Sequence, residues 1–454
     1  MKTKIVVPML LAVVLILAFA VPARAQLGDT DVSQFTVQNI SGGTVTVTVT
    51  FYDESGTPHT PATLNSAGTI TNPFSLQDGK SQQIYVPDVP GLLDGSYAVE
   101  ISSTGPVVAM AGLAGDTSTA HFVGSYSGFS SGSTTSYLGV ANYNYYGWFG
   151  MITVQNLGGS DANVQVTISC SNNTSVGTLT ANGIKPKSSH TFVLKNEVPS
   201  GFTAATSCNG SAQVESTNAQ PIVAVNNQNQ PAGGNTISYG GEAQGASTLY
   251  IANLQSNYFG WVSSLNIRKL NPGSTTVTID YSDAEPDDIC NLTDAQPACN
   301  LFIPTVHPTS GRFSAKVSSN NGNPLIAVVG SSNGHKSGAV VGVSGGTSTV
   351  TVPLAMKAYY GWSSAINCQN VGTVATQLNV SYTGYTPYDT PTALGAGAST
   401  QILTANEAFL PNGFYGGVVI TAKAAGAQIA CTVGNTNSST VPGDWTNQYN
   451  AFNK

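Results

Sequence analysis

Charge is what this sequence has least of. Lysine, arginine, aspartate and glutamate together make up 8% of its 454 residues, against about a quarter in an ordinary soluble domain. The 15 basic residues are outnumbered by 22 acidic ones, for a formal net charge of −7. A chain so poor in cations has no electrostatic footprint for nucleic acid or for an anionic membrane surface. Residues that favour long helices (Lys, Glu, Arg, Met) are equally few, which disfavours an α-helical domain. Histidine is sparse and scattered at His59, His121, His190, His307 and His335, with no H-E-x-x-H frame. No C-x-x-C spacing occurs either, so a zinc site is weakly supported. The pattern G-x-S-x-G does occur, at Gly128–Gly132, Gly330–Gly334 and Gly342–Gly346. Three matches in a Gly/Ser-rich chain carry little information, and the pattern also needs a strand-to-helix elbow that this composition does not predict. An enzyme is not expected.

Long apolar runs are missing after residue 20, so no later stretch would cross a membrane as a helix. The one run there is, Ile5 to Ala20, follows Lys2 and Lys4 and precedes Ala23-Arg24-Ala25. Charged start, apolar middle and small-residue end describe a cleavable secretory signal over residues 1–25, with Gln26 as the mature N-terminus. Its removal takes three basic residues and leaves 12 against 22 acidic ones, a net charge of −10. The chain is therefore expected outside the cell, secreted or held on the surface, with no transmembrane segment once the signal is cleaved.

Glycine (49) and proline (23) are plentiful, and short alternating runs lie between them. One set of these recurs. Asn144-Tyr145-Tyr146-Gly147-Trp148 leads to Ile152-Thr153-Val154-Gln155-Asn156 and then to Val164–Ile168. Asn257-Tyr258-Phe259-Gly260-Trp261 leads to Leu265-Asn266-Ile267 and Thr276–Tyr281, and Ala358-Tyr359-Tyr360-Gly361-Trp362 leads to Ile366–Asn370 and Leu378–Tyr382. Near the N-terminus, Phe35-Thr36-Val37-Gln38-Asn39 and Val45–Val49 repeat the pattern without the aromatic lead-in. A second half recurs too: Gly95–Val99 before Pro106–Met110, Gly210–Val214 before Pro221–Val225, Arg312–Val317 before Pro324–Val328, and Gly417–Ile420 before Gln428–Cys431. Each unit is about 100 residues, the size of one β-sandwich. Alternation puts one face of each strand in a core and the other in water. The expectation is an all-β chain of four tandem immunoglobulin-like antiparallel sandwiches in a row after the signal, at 26–126, 127–240, 241–344 and 345–454, the last with a C-terminal tail.

Six cysteines in an exported chain imply disulfides. Two fall in each of the last three units. Cys368 takes the place of Val37, Val154 and Ile267, and Cys431 that of Met110, Val225 and Val328, as if these two positions faced each other inside every sandwich. The pairing expected is Cys368–Cys431, Cys170–Cys208 and Cys290–Cys299. The acidic cluster Asp280, Asp283, Glu285, Asp287 and Asp288 gathers hard oxygen ligands on a turn, which suits calcium. Its spacing matches no EF-hand loop, and a solvated acidic loop is the competing reading; no other cofactor is indicated. The aromatic lead-ins, Tyr146 with Trp148, Phe259 with Trp261 and Tyr360 with Trp362, permit two uses: filling the junction between one sandwich and the next, or stacking on a surface polysaccharide.

With the repeat laid out, the Tyr-Tyr-Gly-Trp lead-in, the Val-Gln-Asn strand and the Gly-Ser-Ala then Pro-Ile-Val-Ala second half resemble those of secreted bacterial cell-surface proteins built from tandem immunoglobulin-like repeats. The resemblance implies a non-catalytic extracellular structural role, as a filament or surface-layer subunit, or else an adhesin or polysaccharide-binding module, and transfers no catalytic residue. Only Gln26 to Gln34 precede the first Val-Gln-Asn strand, so the first unit is expected to lack an edge segment. The tail from Trp445 to Lys454 could then dock on the first unit of another copy and build a fibre, or simply be the last strand of the fourth sandwich.

Overall fold

Val45–Tyr52 reads Val-Thr-Val-Thr-Val-Thr-Phe-Tyr, and its side chains alternate between interior and outer face. Ala162–Cys170 and Thr275–Tyr281 alternate in the same way. These strands lie on sheets with one face toward solvent. The computed structural model of the chain describes residues 15–20, by their backbone, and 30–116, 121–230, 234–283, 285–334, 336–439 and 443–454. Lys2, Lys4, Ala23, Arg24, Ala25 and Gln26, on which the expectation of a cleaved signal rests, lie outside the described residues. The described residues are strand and loop, apart from a one-turn helix at Ile303–Val306 and two short 3-10 turns.

The strands form eight antiparallel sheets, stacked in pairs as four sandwiches. In the second unit one sheet runs Thr135–Leu138, Gly210–Ser216, Ala162–Cys170, Val176–Ile184. Its partner runs Ser189–Val193, Trp148–Asn156, Ile222–Gln230, Asn235–Gly240. The third and fourth units repeat this order. An immunoglobulin domain keeps its final hairpin on the sheet of its third strand. Here the final hairpin sits beside the second strand, and the first strand takes the vacated place. The first unit has the same plan, with Leu15–Ala20 paired antiparallel to Ala98–Ser103 in the seat that Thr135–Leu138 holds on Gly210–Ser216. In the full chain that edge is covered by Leu15–Ala20, which lie within the expected signal of residues 1–25, so removal of the signal would leave Ala98–Ser103 open there.

The sandwiches do not lie in a row; they close into a ring. Their last strands, His121–Ser127, Asn235–Gly240, Lys336–Val341 and Thr446–Asn450, surround a common axis and run in the same sense along it. Neighbouring strands touch all the way round. Ser125 and Ser127 donate to the Gln448 and Asn450 carbonyls at 2.9 and 2.8 Å, closing the first unit on the fourth. The Val341 N–H donates to Asn450 Oδ1 at 2.9 Å, and the Ser337 hydroxyl to the Thr236 carbonyl at 2.8 Å. Gly124 faces Ser238 so closely that a Cβ there would stand 2.0 Å from the hydroxyl oxygen. At one end of the axis all four units meet on Asp444. Its carboxylate accepts the backbone N–H groups of Thr236, Ser337 and Thr446, and its own N–H donates to the His121 carbonyl at 2.6 Å. The tail is the last strand of the fourth sandwich, with Tyr449 fully buried and its hydroxyl donating to the Leu354 carbonyl at 2.6 Å.

Ring closure explains why one sheet of each unit breaks the alternation rule. Trp148–Asn156 and Ile222–Gln230 are buried along nearly their whole length on both faces, though half their side chains are polar. The inward face fills the unit's own core. The outward face packs on the preceding unit, in which Val225 and Met151 join the core of the first unit, Val328 that of the second and Met110 that of the fourth. The Val-Gln-Asn strand thus has three separate jobs. Val37 and Val154 are core residues. At the next position Arg268 donates to Ser211 Oγ and Gln369 to the Ala315 carbonyl across the seams. The asparagines tie two loops together, Asn156 Nδ2 donating to the Ser160 and Ile184 carbonyls and Asn370 Nδ2 to those of Val374 and Leu394.

This register corrects the expectation that Val37, Val154 and Ile267 face Met110, Val225 and Val328, while Cys368 does meet Cys431. The ladder pairs Val37 with Ala109, Val154 with Ala224, Ile267 with Ala327 and Cys368 with Cys431, as neighbours in one sheet. A slip of one residue turns a strand's side chains to the opposite face, so Val225 points away from Val154 and into the seam. Val154→Ala and Val225→Ala should each cost about 1–3 kcal/mol and, lacking shared partners, should add in the double variant. Chemical denaturation of the two single variants and the double variant checks this.

Asp444 also sets a pH dependence. Burial pushes its carboxyl up to about 8, against the pull of the Ser337, Thr236 and Thr446 donors. In the unfolded chain the group titrates near ~3.9. Between about pH 4 and 8 the folded protein therefore holds a proton that the unfolded chain has lost, and stability falls as pH rises through that window. Urea unfolding should give a lower midpoint at pH 8.5 than at pH 5, and Asp444→Asn should reduce the difference.

Candidate functional site

The recurring aromatic lead-ins are tight hairpins. Tyr145, Tyr258 and Tyr359 pair across the turn with Trp148, Trp261 and Trp362, leaving two-residue turns of Tyr146-Gly147, Phe259-Gly260 and Tyr360-Gly361. Both residues of each turn have positive φ: 50° and 78°, 49° and 82°, 46° and 85°. That is the type I′ geometry, for which Asn-Gly is the favoured sequence. A bulky aromatic side chain in this region is strained, and such strain persists where the surroundings impose it. Here the imposing group is an amide at the end of a neighbouring strand. Gln230 donates to the Tyr146 carbonyl at 2.7 Å, Asn333 to that of Phe259 at 3.1 Å and Asn437 to that of Tyr360 at 3.0 Å. The first unit has Gly115 in register with these amides.

The turns hold their aromatic side chains out in solvent. Tyr146, Phe259 and Tyr360 are 78%, 84% and 85% exposed, each with a second ring 4.6–4.8 Å away, Tyr145, Tyr258 or Tyr359. The amides that hold the tips come just before the strands that begin at the Asp444 end of the axis. All three tips therefore belong to one face of the ring. Trp148, Trp261 and Trp362 are half-buried beneath them. Trp362 packs on the core of its own unit and approaches Trp445, which stacks on His121 with ring centroids 3.8 Å apart.

Trp261 lines a groove of about 250 Å³ at the seam between the third and fourth units. Tyr258 and Phe259 complete its aromatic wall, and Asn253, Gln255, Asn367, Gln401, Thr436 and Gln448 supply its polar lining, none of it charged. Asn253 and Gln255 are only 7% and 6% exposed, and neither Asn253 Oδ1 nor Gln255 Oε1 has a hydrogen-bond partner within the protein. Sequence reasoning found the aromatic residues but missed Gln230, Asn333, Asn437, Asn253 and Gln255. Their common mark, an amide at matching positions of successive repeats, is submerged in a chain full of Asn and Gln.

The acidic residues do not converge. Asp280 and Asp287 are exposed. Asp283 Oδ2 lies 2.9 Å from Nε2 of the buried His307, Asp288 accepts the Tyr281 hydroxyl at 2.6 Å, and Glu285 accepts that of Thr309. Burial, reinforced by the bond to Asp288, raises the Tyr281 pKa above its ordinary value. Among the described residues no three His, Cys, Asp or Glu side chains come together as a metal site. The cluster's observed work is to anchor the loop around Tyr281 and His307. Cysteines are bonded as Cys170–Cys208, Cys290–Cys299 and Cys368–Cys431. Of the G-x-S-x-G serines, Ser332 lies on the strand Leu325–Asn333, in register with Val262 and Ser337.

No protein-family model matches the chain, and no curated protein matches it. One solved structure, described as a tetra-tandem repeat in the extending region of a large adhesion protein, is similar over 97% of this chain and 99% of its own. The sequence identity is 10% and the TM-score 0.11, and a likeness of that degree carries no inference here.

Strain at the tips yields a direct expectation. Phe259→Asn places the favoured residue in the type I′ turn and should stabilise the protein by about 0.5–1 kcal/mol. Thermal unfolding of Phe259→Asn beside the parent chain checks it; a lower melting temperature would contradict the strained-turn reading.

Proposed function

We propose that this chain is a non-catalytic extracellular structural protein of the cell surface, a closed four-sandwich platform that displays groups on one face. The observation that carries the reading is the ring itself. Each unit is clamped between two others through doubly buried sheets, and the last three units are each stapled by a disulfide. The Cys368–Cys431 bond spans 63 residues and is worth about 4 kcal/mol on the chain-entropy model. Such bonds persist in oxidising surroundings outside the cytoplasm. The scarcity of charge fits a surface whose solubility rests on Ser, Thr, Asn and Gly. No helix among the described residues is long and apolar enough to cross a membrane.

Self-association into arrays or fibres belongs to this reading, but not through donation of the tail. Thr446–Asn450 is committed to both its own sheet and the ring axis, so releasing it would open the fourth unit and the ring together. Negative-stain microscopy of protein recovered from the culture medium and from the cell surface tests the proposal. Compact discs, single or packed into arrays, are expected there, with the cysteines oxidised. A chain found in the cytoplasm with reduced thiols would contradict it.

A further inference from the structure

We propose that the groove between the third and fourth units binds a neutral polysaccharide, with Phe259 and Trp261 stacking on sugar rings and Asn253 and Gln255 accepting sugar hydroxyls. The inference rests on the extracellular reading only in requiring that the ligand lie outside the cell.

Three independent features of the groove converge on this ligand class. Its wall combines aromatic planes with amides and hydroxyls and contains no charged side chain. Sugars present C–H faces that pack on aromatic rings and hydroxyls that pair with amides, and an uncharged lining excludes a requirement for an anionic or cationic partner. Next, Asn253 and Gln255 line the groove, and their side-chain carbonyl oxygens, closed off from solvent at the seam, have no protein partner. An unpaired buried acceptor is costly, on the order of 1–3 kcal/mol, and turning either amide toward the groove would present its oxygen to a sugar hydroxyl. Finally, the aromatic tip at the groove's edge is held in a conformation that Asn would adopt more easily. The same strained tip recurs at Tyr146 and Tyr360 on the same face. Keeping an exposed ring there at the expense of turn stability is accounted for by contact with a ligand. Three such tips also make the face multivalent toward a polymer, so that weak single contacts combine.

The test is retention of the full chain on immobilised β-glucan, chitin and dextran, with hyaluronan as an acidic comparator. Affinity for short oligosaccharides of the retained type is then measured by titration. At least one neutral glycan should be retained. Phe259→Ala and Asn253→Ala should each weaken oligosaccharide binding about tenfold, the upper range for one stacking or hydrogen-bond contact. Phe259→Tyr should bind as the parent does. Tyr146→Ala should leave oligosaccharide binding unchanged and weaken retention on the polymer. Phe259 is nearly fully exposed, so its variants should keep the ring, which their unfolding midpoints verify. Retention of hyaluronan alone, of no glycan at all, or of a neutral glycan equally by the parent and by Phe259→Ala would overturn the proposal. A surface-located, intact ring that retains no glycan would sink this inference and leave the structural reading standing.

Discussion

The packing of one polar sheet face on the preceding sandwich is the interaction on which the molecule depends. In each unit the Val-Gln-Asn strand and the strand beside it are buried on both faces along most of their length. Their inward side chains fill a core, and their outward ones, among them Gln38, Asn227, Arg268 and Gln369, are buried against a neighbour. Burying such groups is costly unless they are paired. Several are paired across seams, and the small residues along the axis allow the close approach this needs. Gly124 against Ser238 and Gly338 against Gln448 leave no room for a Cβ. Once every unit buries the same face on its predecessor, the fourth meets the first and the ring is complete.

Closure has a consequence for display. Because the four axial strands run in the same sense, equivalent hairpins of successive repeats emerge on the same side. The second, third and fourth units each carry an exposed aromatic residue there. The exception is the first unit, where Gly115 replaces the amide that elsewhere grips the tip. A linear string of sandwiches would point these tips in directions set by each junction; the ring collects them on one face and adds a groove at a seam.

Much of this was legible in the residues, and the limits are physical. Strand alternation and repeat length locate sandwiches, because core-facing residues must be apolar wherever a single unit supplies both sides of the contact. The seams were opaque for the opposite reason. Thr36, Gln38, Thr153 and Gln155 read as solvent-facing, yet they are buried by neighbours, and polar residues give no sign of which surface covers them. Val225 and Val328 read as core residues of their own units because an apolar side chain looks the same whether it faces its own core or a neighbour's. The aromatic tips were visible as a motif, but their exposure follows from positive φ at Tyr146, Phe259 and Tyr360, which only the turn geometry reveals. The acidic residues around Asp283 are close in sequence but are spent on separate partners, His307, Tyr281 and Thr309, which sequence spacing does not reveal.

The central claim is that the four units form a closed ring, and small-angle X-ray scattering of the purified chain tests it most directly. A compact body of this length should have a radius of gyration of about 22 Å. Four sandwiches in a row, each about 35 Å long on strands of ten residues, would give about 40 Å. A value near the first, unchanged between dilute and concentrated samples, is the predicted result; a value near the second, or a scattering curve of a flexible string, would contradict the ring.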